Sequence, residues 1–363
     1  MTMVAITGFT DSTTAEMRDF LEDVVSNHSD TLILIANAAA RSRPWVIEVE
    51  LHNLDPERVV FNLIGAHGTL RHEVPFSKRI SGTTDLQIQL FKLIDHARKA
   101  NPEAPVTSLE AEIQERAAIP THVATVAATC LIAKTTVQVT LTGLHAPVCG
   151  GDEFWYLMVP QPGAPDEIRH GFAISQLETI PDNRRPMAAY YTTRRRRPED
   201  GEIDLWIHLH HDTGVAGWAA TAQIGDTVAL WGPRATYDPP EGTSHHLLVV
   251  DETGIPAAAA ITEALSPDHP VTLIAEIEAP GYEPPLKAGS NVDLRWVYRS
   301  QRGASLSKTV AALELNSESL YAFGAANSQE ISAVRKHLRR DRAMSASAVS
   351  MTGYWRRERE ASS

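Results

Sequence analysis

A chain of 363 residues with 45 acidic against 33 basic side chains, a formal net charge of −12, lacks the continuous basic face that neutralising a phosphate backbone requires, so general nucleic-acid binding is excluded. Two cysteines, Cys130 and Cys149, are too few for a disulfide framework or for a cysteine-ligated zinc or iron–sulfur site, so any redox chemistry has to come from an organic cofactor or a histidine-bound metal. No apolar run reaches the roughly 18–20 residues of a membrane span, and the first residues lack the basic-then-apolar order of a signal peptide, so a cytoplasmic protein of two or three domains is expected.

The first block is α+β. Ser12-Thr13-Thr14 with Glu16 reads as a capped helix start, and Met17, Phe20, Leu21, Val24 and Val25 keep helical spacing to about Asn27. Leu32 to Ala40 continues the helical pattern. Trp45 to Leu51, Arg58 to Ile64 and Thr69 to Pro75 read as strands, and an amphipathic helix from Thr84 to about Lys99 closes the block. This order, with Asn27-His28-Ser29-Asp30, resembles a small domain attached to haem-utilisation and flavin-binding split-barrel proteins. The resemblance implies His28 as a candidate haem or metal ligand; the plainer reading is a capping or packing histidine at a helix end. The domain is expected over 1–105. Asn101 to Pro105 breaks the pattern, and an acidic helical linker follows over 106–119, starting at Ser108 with Glu110 and Glu112 and ended by Pro120.

From His122 the pattern turns to short strands, and an antiparallel barrel is expected over 120–242. Val123 to Ala133, Val137 to Thr142 and Glu153 to Val159 are its first strands. Arg185 to Arg197 follows, ending in four arginines, Arg194 to Arg197, whose plain reading is a solvated strand edge before a Pro198 to Gly201 hairpin turn. Ile203, Leu205 and Ile207 then alternate with Asp204 and His208. An Asp212-Thr213-Gly214 turn leads into a short helix around Trp218, and after Gly225-Asp226 a strand runs from Val228 to Trp231. Free N–H groups at that helix start, with glycine at Gly214 allowing close approach, make a diphosphate site that needs no lysine; a loop that merely caps a helix is the bland alternative. His208 and His210 share one strand face and His211 takes the other, so a metal site here would need Asp212 as a further ligand.

His210, Asp212-Thr213-Gly214-x-Ala216-x-Trp218-Ala219, Gly225-Asp226 and Gly232-Pro233-Arg234 together resemble the flavin-binding domain of siderophore-interacting proteins, the ferric-siderophore reductases of the ferredoxin-reductase superfamily. The resemblance implies FAD, with its pyrophosphate at Asp212, Thr213, Gly214, Ala216 and Trp218, and with His210, Gly232 and Pro233 at the same site. It also implies a catalytic pair: Tyr191 stacked on the flavin ring, and Thr192 hydrogen-bonded near the atom where hydride arrives. The superfamily's arginine two residues before that tyrosine is Ala189 here. Losing one charge-assisted contact costs about 1.5–3 kcal/mol, which Arg185 or Arg194 would restore by reaching the cofactor. Ala235 and Val215 likewise replace the usual glycine and proline.

Beyond Gly242 strands alternate with helices over 243–356: His246 to Val250, Val271 to Glu278, Leu294 to Tyr298, Leu320 to Phe323 and Ala346 to Met351, with helices ending near Leu265 and spanning Ser305 to Leu315 and Ser328 to Arg340. This is a doubly wound parallel sheet, with its ligand crevice at the carboxyl ends of the strands. No G-x-G-x-x-G is present. The same family resemblance rests here on Asp251-Glu252-Thr253 with Pro256, Trp296 with Arg299, and Gly353-Tyr354-Trp355-Arg356. It implies a domain that takes hydride from NADPH or NADH, with Asp251, Glu252, Thr253, Arg299 and Trp355 on the nucleotide. The family's alanine-glycine-glutamate reads Ala325-Ala326-Asn327. Arg335, Lys336 and Arg339, with Arg340 and Arg342, crowd one helix and are expected to attract an anionic chelate; a solvated helix face is the alternative.

The chain thus reads as multidomain, α+β then β-barrel then α/β, with residues 357–363 as a tail. The function expected is FAD- and NAD(P)H-dependent reduction of a ferric siderophore or related iron chelate, with haem a further candidate partner and no metal site of its own. The alternative is a non-catalytic haem- or chelate-binding protein on a degenerate reductase scaffold, a reading suggested by Ala189, Ala235 and Asn327.

Overall fold

Apolar alternation and buried apolar runs build three separate sheets. The computed structural model describes residues 4–355 except 11–12, 15–16, 19, 22–23, 26–27, 41–45, 47, 66–67, 164–167, 169–172, 211–212 and 317. Expectations that fall on Ser12, Glu16, Asn27, Trp45, His211, Asp212 and Arg356 therefore lie outside the described residues. The chain divides into two compact units, 1–118 and 119–363.

In the first unit β1 (Ala5–Ile6) pairs in parallel with β2 (Glu48–Leu54), which continues antiparallel into β3 (Arg58–Gly65) and β4 (Gly68–Pro75). Two residues are too few for a periodic signal, so β1 is a strand the sequence pattern does not announce. Helices α1 (Ser29–Ala40) and α2 (Thr83–Ala100) cover the sheet. Met17, Leu21, Leu34, Ile35, Leu54, Phe61, Leu86 and Ile94 form the core. Helix α3 (Ser108–Ala118) packs on the same core through Leu109. Its Glu110 takes hydrogen bonds from Arg98 at 2.9 and 2.6 Å. Those bonds hold the Glu110 pKa down to about 2. His28 is also claimed inside this unit: Ser108 Oγ lies 3.0 Å from its Nδ1 and a Glu112 oxygen 3.4 Å from its Nε2, which makes it a packing histidine.

The second unit opens with a closed barrel. Its strands are β5 (Thr121–Ala133), β6 (Thr136–Thr142), β7 (Phe154–Val159), β8 (Met187–Arg197), β9 (Glu202–His208) and β10 (Thr227–Arg234), in the order β10-β5-β6-β9-β8-β7. Period-two alternation turns Val137, Val139 and Leu141 of β6 and Ile203, Leu205 and Ile207 of β9 into the interior, and Val215 and Ala219 of helix α4 (Gly214–Ala219) join them. Closure removes free edges, so the arginine run of β8 is not a solvated edge. Arg196 reaches the buried Glu153 at 2.7 Å, and Arg197 grips Asp204 at 2.7 and 2.8 Å. Burial opposes the Asp204 charge, but the bonds from Arg197 and Thr140 outweigh it and keep the carboxyl below its ordinary range.

A parallel sheet follows, ordered β13-β12-β11-β14-β15: β11 (His245–Asp251), β12 (Val271–Ile277), β13 (Val292–Tyr298), β14 (Leu320–Asn327) and β15 (Val349–Trp355). The central strands are apolar runs because both faces are covered. Helix α5 (Ile255–Ala264) lies on one face; α6 (Leu306–Ala311) and α7 (Ser328–Lys336) lie on the other. The helix expected to reach Arg340 leaves α geometry at His337, where a π turn runs to Asp341. Trp206 points outward from β9 and enters the core of the α5 face with Leu248, Ile261 and Phe323, so the outer wall of the barrel packs into the core of the sheet. Among the described residues no helix is long and apolar enough to cross a membrane.

Candidate functional site

On β8 the side chains of Ala189 and Tyr191 face the barrel cluster, which Trp218 of α4 also joins. Burial pushes the Tyr191 phenol up to about 12, so the ring stays neutral. The next residue carries an unusual feature. Thr192 Oγ1 is sealed from solvent and has no hydrogen-bond partner among the described residues; the hydroxyl of Tyr354 lies beside it, outside hydrogen-bond geometry. An orphaned buried hydroxyl is costly, and its presence next to a neutral tyrosine ring fits a missing partner with a hydrogen-bonding edge, as a flavin has.

The turn into α4 supplies the neighbouring feature. The first intrahelical bond runs from Gly217 N–H to the Thr213 carbonyl, so the N–H groups of Val215 and Ala216 precede it. Gly214 holds φ at +65°, a left-handed value, with open space where a Cβ would stand. A cavity of ≈ 620 Å³ lies against Thr213, Gly214, Gly217, Trp218 and, across it, Pro160 and Met187. Ala216 is buried beneath the helix, so any contribution it makes comes from its backbone.

A second cavity, ≈ 350 Å³, opens at the carboxyl ends of β11 to β13, next to the point where strand order reverses. Its walls are Glu252, Thr253, Glu278, Tyr282, Arg299 and Trp355 on the sheet side and Thr135, His208 and His210 on the barrel side. Arg299 is bound to Glu252 and Glu276. Burial disfavours its charge, yet these partners overcome that and raise its pKa. His210 was expected beside the Thr213 turn; its ring instead stacks on His208 at 5.9 Å and faces this second cavity.

Asp251 sits beneath the crevice and has no oxygen to offer a nucleotide. One oxygen accepts from the Thr253 N–H at 2.9 Å and hydroxyl at 2.6 Å; the other accepts from the Asn327 N–H at 2.8 Å and Trp355 Nε1 at 2.6 Å. The carboxylate therefore ties the ends of β11, β14 and β15 together, a positioning role where direct contact was expected. Asn327, standing where the family has glutamate, caps α7 by accepting from Gln329 N–H at 3.0 Å.

Several other expected contacts turn elsewhere. Arg194 forms a two-point pair with Glu263 of α5 at 2.9 and 2.5 Å and lies over the Trp206 ring at 4.7 Å. Arg185 pairs with Asp182 at 3.0 Å. Both guanidinium groups are thus engaged by protein carboxylates. Gly232 and Pro233 form a bulge of β10 against β7: a Cβ on Gly232 would meet Trp155 at 3.0 Å, and neither residue lines the two cavities. Arg335 and Arg339 donate to the carbonyls of Met351 and Met344, and their helix, with Lys336, belongs to the sheet face opposite the one that meets the barrel.

Three acidic side chains are given no site role by sequence reasoning. Asp152, fully buried, accepts from the N–H groups of Thr236 and Tyr237 and fixes the segment leaving the barrel. Glu276 is the penultimate residue of β12 and Glu278 follows its end; the signal available for them is an acidic residue closing the second strand of a βαβ unit.

A family profile described as "Siderophore-interacting FAD-binding domain" matches residues 125–237, and one described as "Siderophore-interacting protein" matches 243–358. An uncharacterised protein of Mycobacterium tuberculosis is 35% identical over 194 residues, 50% of this chain and 69% of that protein. An NADPH-dependent ferric-chelate reductase of Escherichia coli is 36% identical over 123 residues, 32% of this chain and 45% of that protein. The crystal structure of the siderophore-interacting protein SipS from Aeromonas hydrophila superimposes with a TM-score of 0.56 at 24% identity, covering 67% of this chain and 94% of that one.

Proposed function

Since the chain belongs to the siderophore-interacting protein family, we propose that it is an FAD-dependent NAD(P)H oxidoreductase that reduces the ferric iron of a siderophore or related chelate so that the iron can be released. The observation that carries this reading is the orphaned Thr192 hydroxyl, with neutral Tyr191 on one side and, through Tyr354 and Trp355 of β15, the nucleotide crevice on the other. In this reading Tyr191 and Thr192 hold the flavin ring, and the turn from Thr213 to Trp218 holds the pyrophosphate with backbone N–H groups. Thr253, Arg299 and Trp355 line the path of the nucleotide. Bound there, FAD would supply the chemistry that links two-electron hydride transfer from a nicotinamide to one-electron reduction of ferric iron. The protein supplies the rest. Tyr191 offers an apolar, uncharged face; Thr192 offers a hydroxyl that water cannot reach; Asp251 keeps Thr253 and Trp355 in register. A donor made in the cytoplasm puts the reaction there.

The test is an absorbance spectrum of the purified protein before and after equilibration with FAD. Flavin bands that bleach on adding NADH or NADPH and recover with a ferric chelate are expected. A protein that takes up no flavin under these conditions would sink the proposal. With no arginine in place of Ala189, FAD should be held weakly, and Ala189→Arg should tighten it about ten- to a hundredfold. The alternative, a non-catalytic haem- or chelate-binding scaffold, finds its candidate ligand His28 already in contact with Ser108 and Glu112.

A further inference from the structure

At the carboxyl ends of β11, β12 and β13 one cation sits inside three carboxylates. Arg299 Nη1 donates to Glu252 at 2.7 Å and to Glu276 at 3.2 Å, while Nη2 donates to the second Glu252 oxygen and lies 3.4 Å from Glu278. The side chains of Glu252 and Glu276 are 6% and 7% exposed, whereas that of Glu278 is 56% exposed. Two buried carboxylates thus hold the guanidinium from below, and the third stands at the rim of the ≈ 350 Å³ cavity beside Thr253 and Tyr282.

This arrangement bears on which nucleotide fits. In doubly wound sheets a carboxylate near the end of the second strand accepts a hydrogen bond from the adenosine 2′-hydroxyl, while a 2′-phosphate is received by an arginine. Here the second strand ends at Ile277, flanked by Glu276 and Glu278, and the terminal nitrogens of the nearby arginine already point to carboxylates. A phosphomonoester would bring about −1.5 to −2 charges against Glu278 and would have to pull Arg299 from a buried pair. A ribose hydroxyl needs only an acceptor, and Glu278 has a carboxylate with one long contact.

We propose that this domain selects NADH over NADPH, with Glu278 as the acceptor for the adenosine ribose and the Glu252–Arg299–Glu276 group withholding the guanidinium from a 2′-phosphate. The proposal rests on the reading of β11 to β15 as a nicotinamide-nucleotide domain, and it parts from the Escherichia coli relative, whose name specifies NADPH. The test uses ADP-ribose and 2′-phospho-ADP-ribose, neither of which carries a nicotinamide, with binding to the full-length protein read by titration calorimetry. ADP-ribose should bind at least about tenfold more tightly. Glu278→Gln should narrow that ratio to about threefold or less, and Glu278→Arg should invert it. Because Glu278 is half exposed, unchanged melting curves should accompany both variants. Tighter binding of the phosphorylated ligand by the native protein, or a ratio unmoved in Glu278→Arg, would overturn the selection while leaving the nucleotide domain standing. Binding of neither ligand would remove the nucleotide-domain reading, and the selection with it.

Discussion

Two ion pairs of β8 look alike in sequence and differ in worth. Glu153 is 3% exposed and accepts from Arg196 at 2.7 Å, Thr193 Oγ1 at 3.0 Å and Trp155 Nε1 at 3.3 Å. Glu153→Ala leaves a guanidinium buried without its counter-charge, and about 3–5 kcal/mol of stability should be lost in urea unfolding. Glu263 is 44% exposed although Arg194 is only 10% exposed, so water can replace part of what is lost and Glu263→Ala should cost less, about 1–2 kcal/mol. Equal losses would mean that burial is not what separates them. His246 adds a pH dependence. It is 2% exposed, and the Tyr237 hydroxyl is 2.6 Å from its Nδ1. Burial first, then the neighbouring His269 and His245, pulls its pKa from 6.5 down to about 4. The folded pKa lies below the unfolded one, so between those values the unfolded chain binds more protons. The stability is complete above about pH 6.5 and drains away as the pH falls toward 4, on the order of 3 kcal/mol in all. Urea unfolding near pH 7 and pH 5 should show a larger loss for the native protein than for His246→Gln; identical losses would exonerate this histidine.

At the scale of elements, the tightest seam runs between the turn after β11 and strand β14. A Cβ on Gly254 would stand 2.0 Å from the Ala325 carbonyl oxygen, and backbone cannot swing away as a side chain can. Gly254→Ala should therefore cost about 1–3 kcal/mol or more, and the forced shift should weaken nucleotide binding by disturbing Asp251 and Thr253. Full stability in the variant would mean that the seam opens freely. Strand and helix positions from Thr121 onward are legible in the sequence because the barrel strands alternate and the sheet strands are continuous apolar runs. The Gly214 turn is legible too, since its local chemistry determines its shape. What stays hidden is pairing at long range. Nothing near Arg194 in the sequence points to Glu263, and nothing near Asp251 announces that Asn327 and Trp355 will donate to it. For that reason expected contacts such as Arg194 and Asp251 prove to be fastenings, while Glu278, marked only by its place just past the second strand of the sheet, stands at a cavity mouth.

The two units each have a hydrophobic core of their own, and both family matches fall inside 119–363. A fragment beginning no later than Ile119, whose carbonyl accepts from Trp231 Nε1 at 3.1 Å, should keep FAD affinity within about twofold of the whole chain. A tenfold loss in equilibrium dialysis would assign residues 1–118 a part in the site. Within that larger unit, the Trp206 side chain leaves the barrel wall and is buried among residues of the parallel sheet and α5, with Arg194 laid over it and bolted to Glu263. Barrel and sheet are thereby held at one seam by a buried indole and a two-point ion pair, so the two cavities belong to a single packed unit.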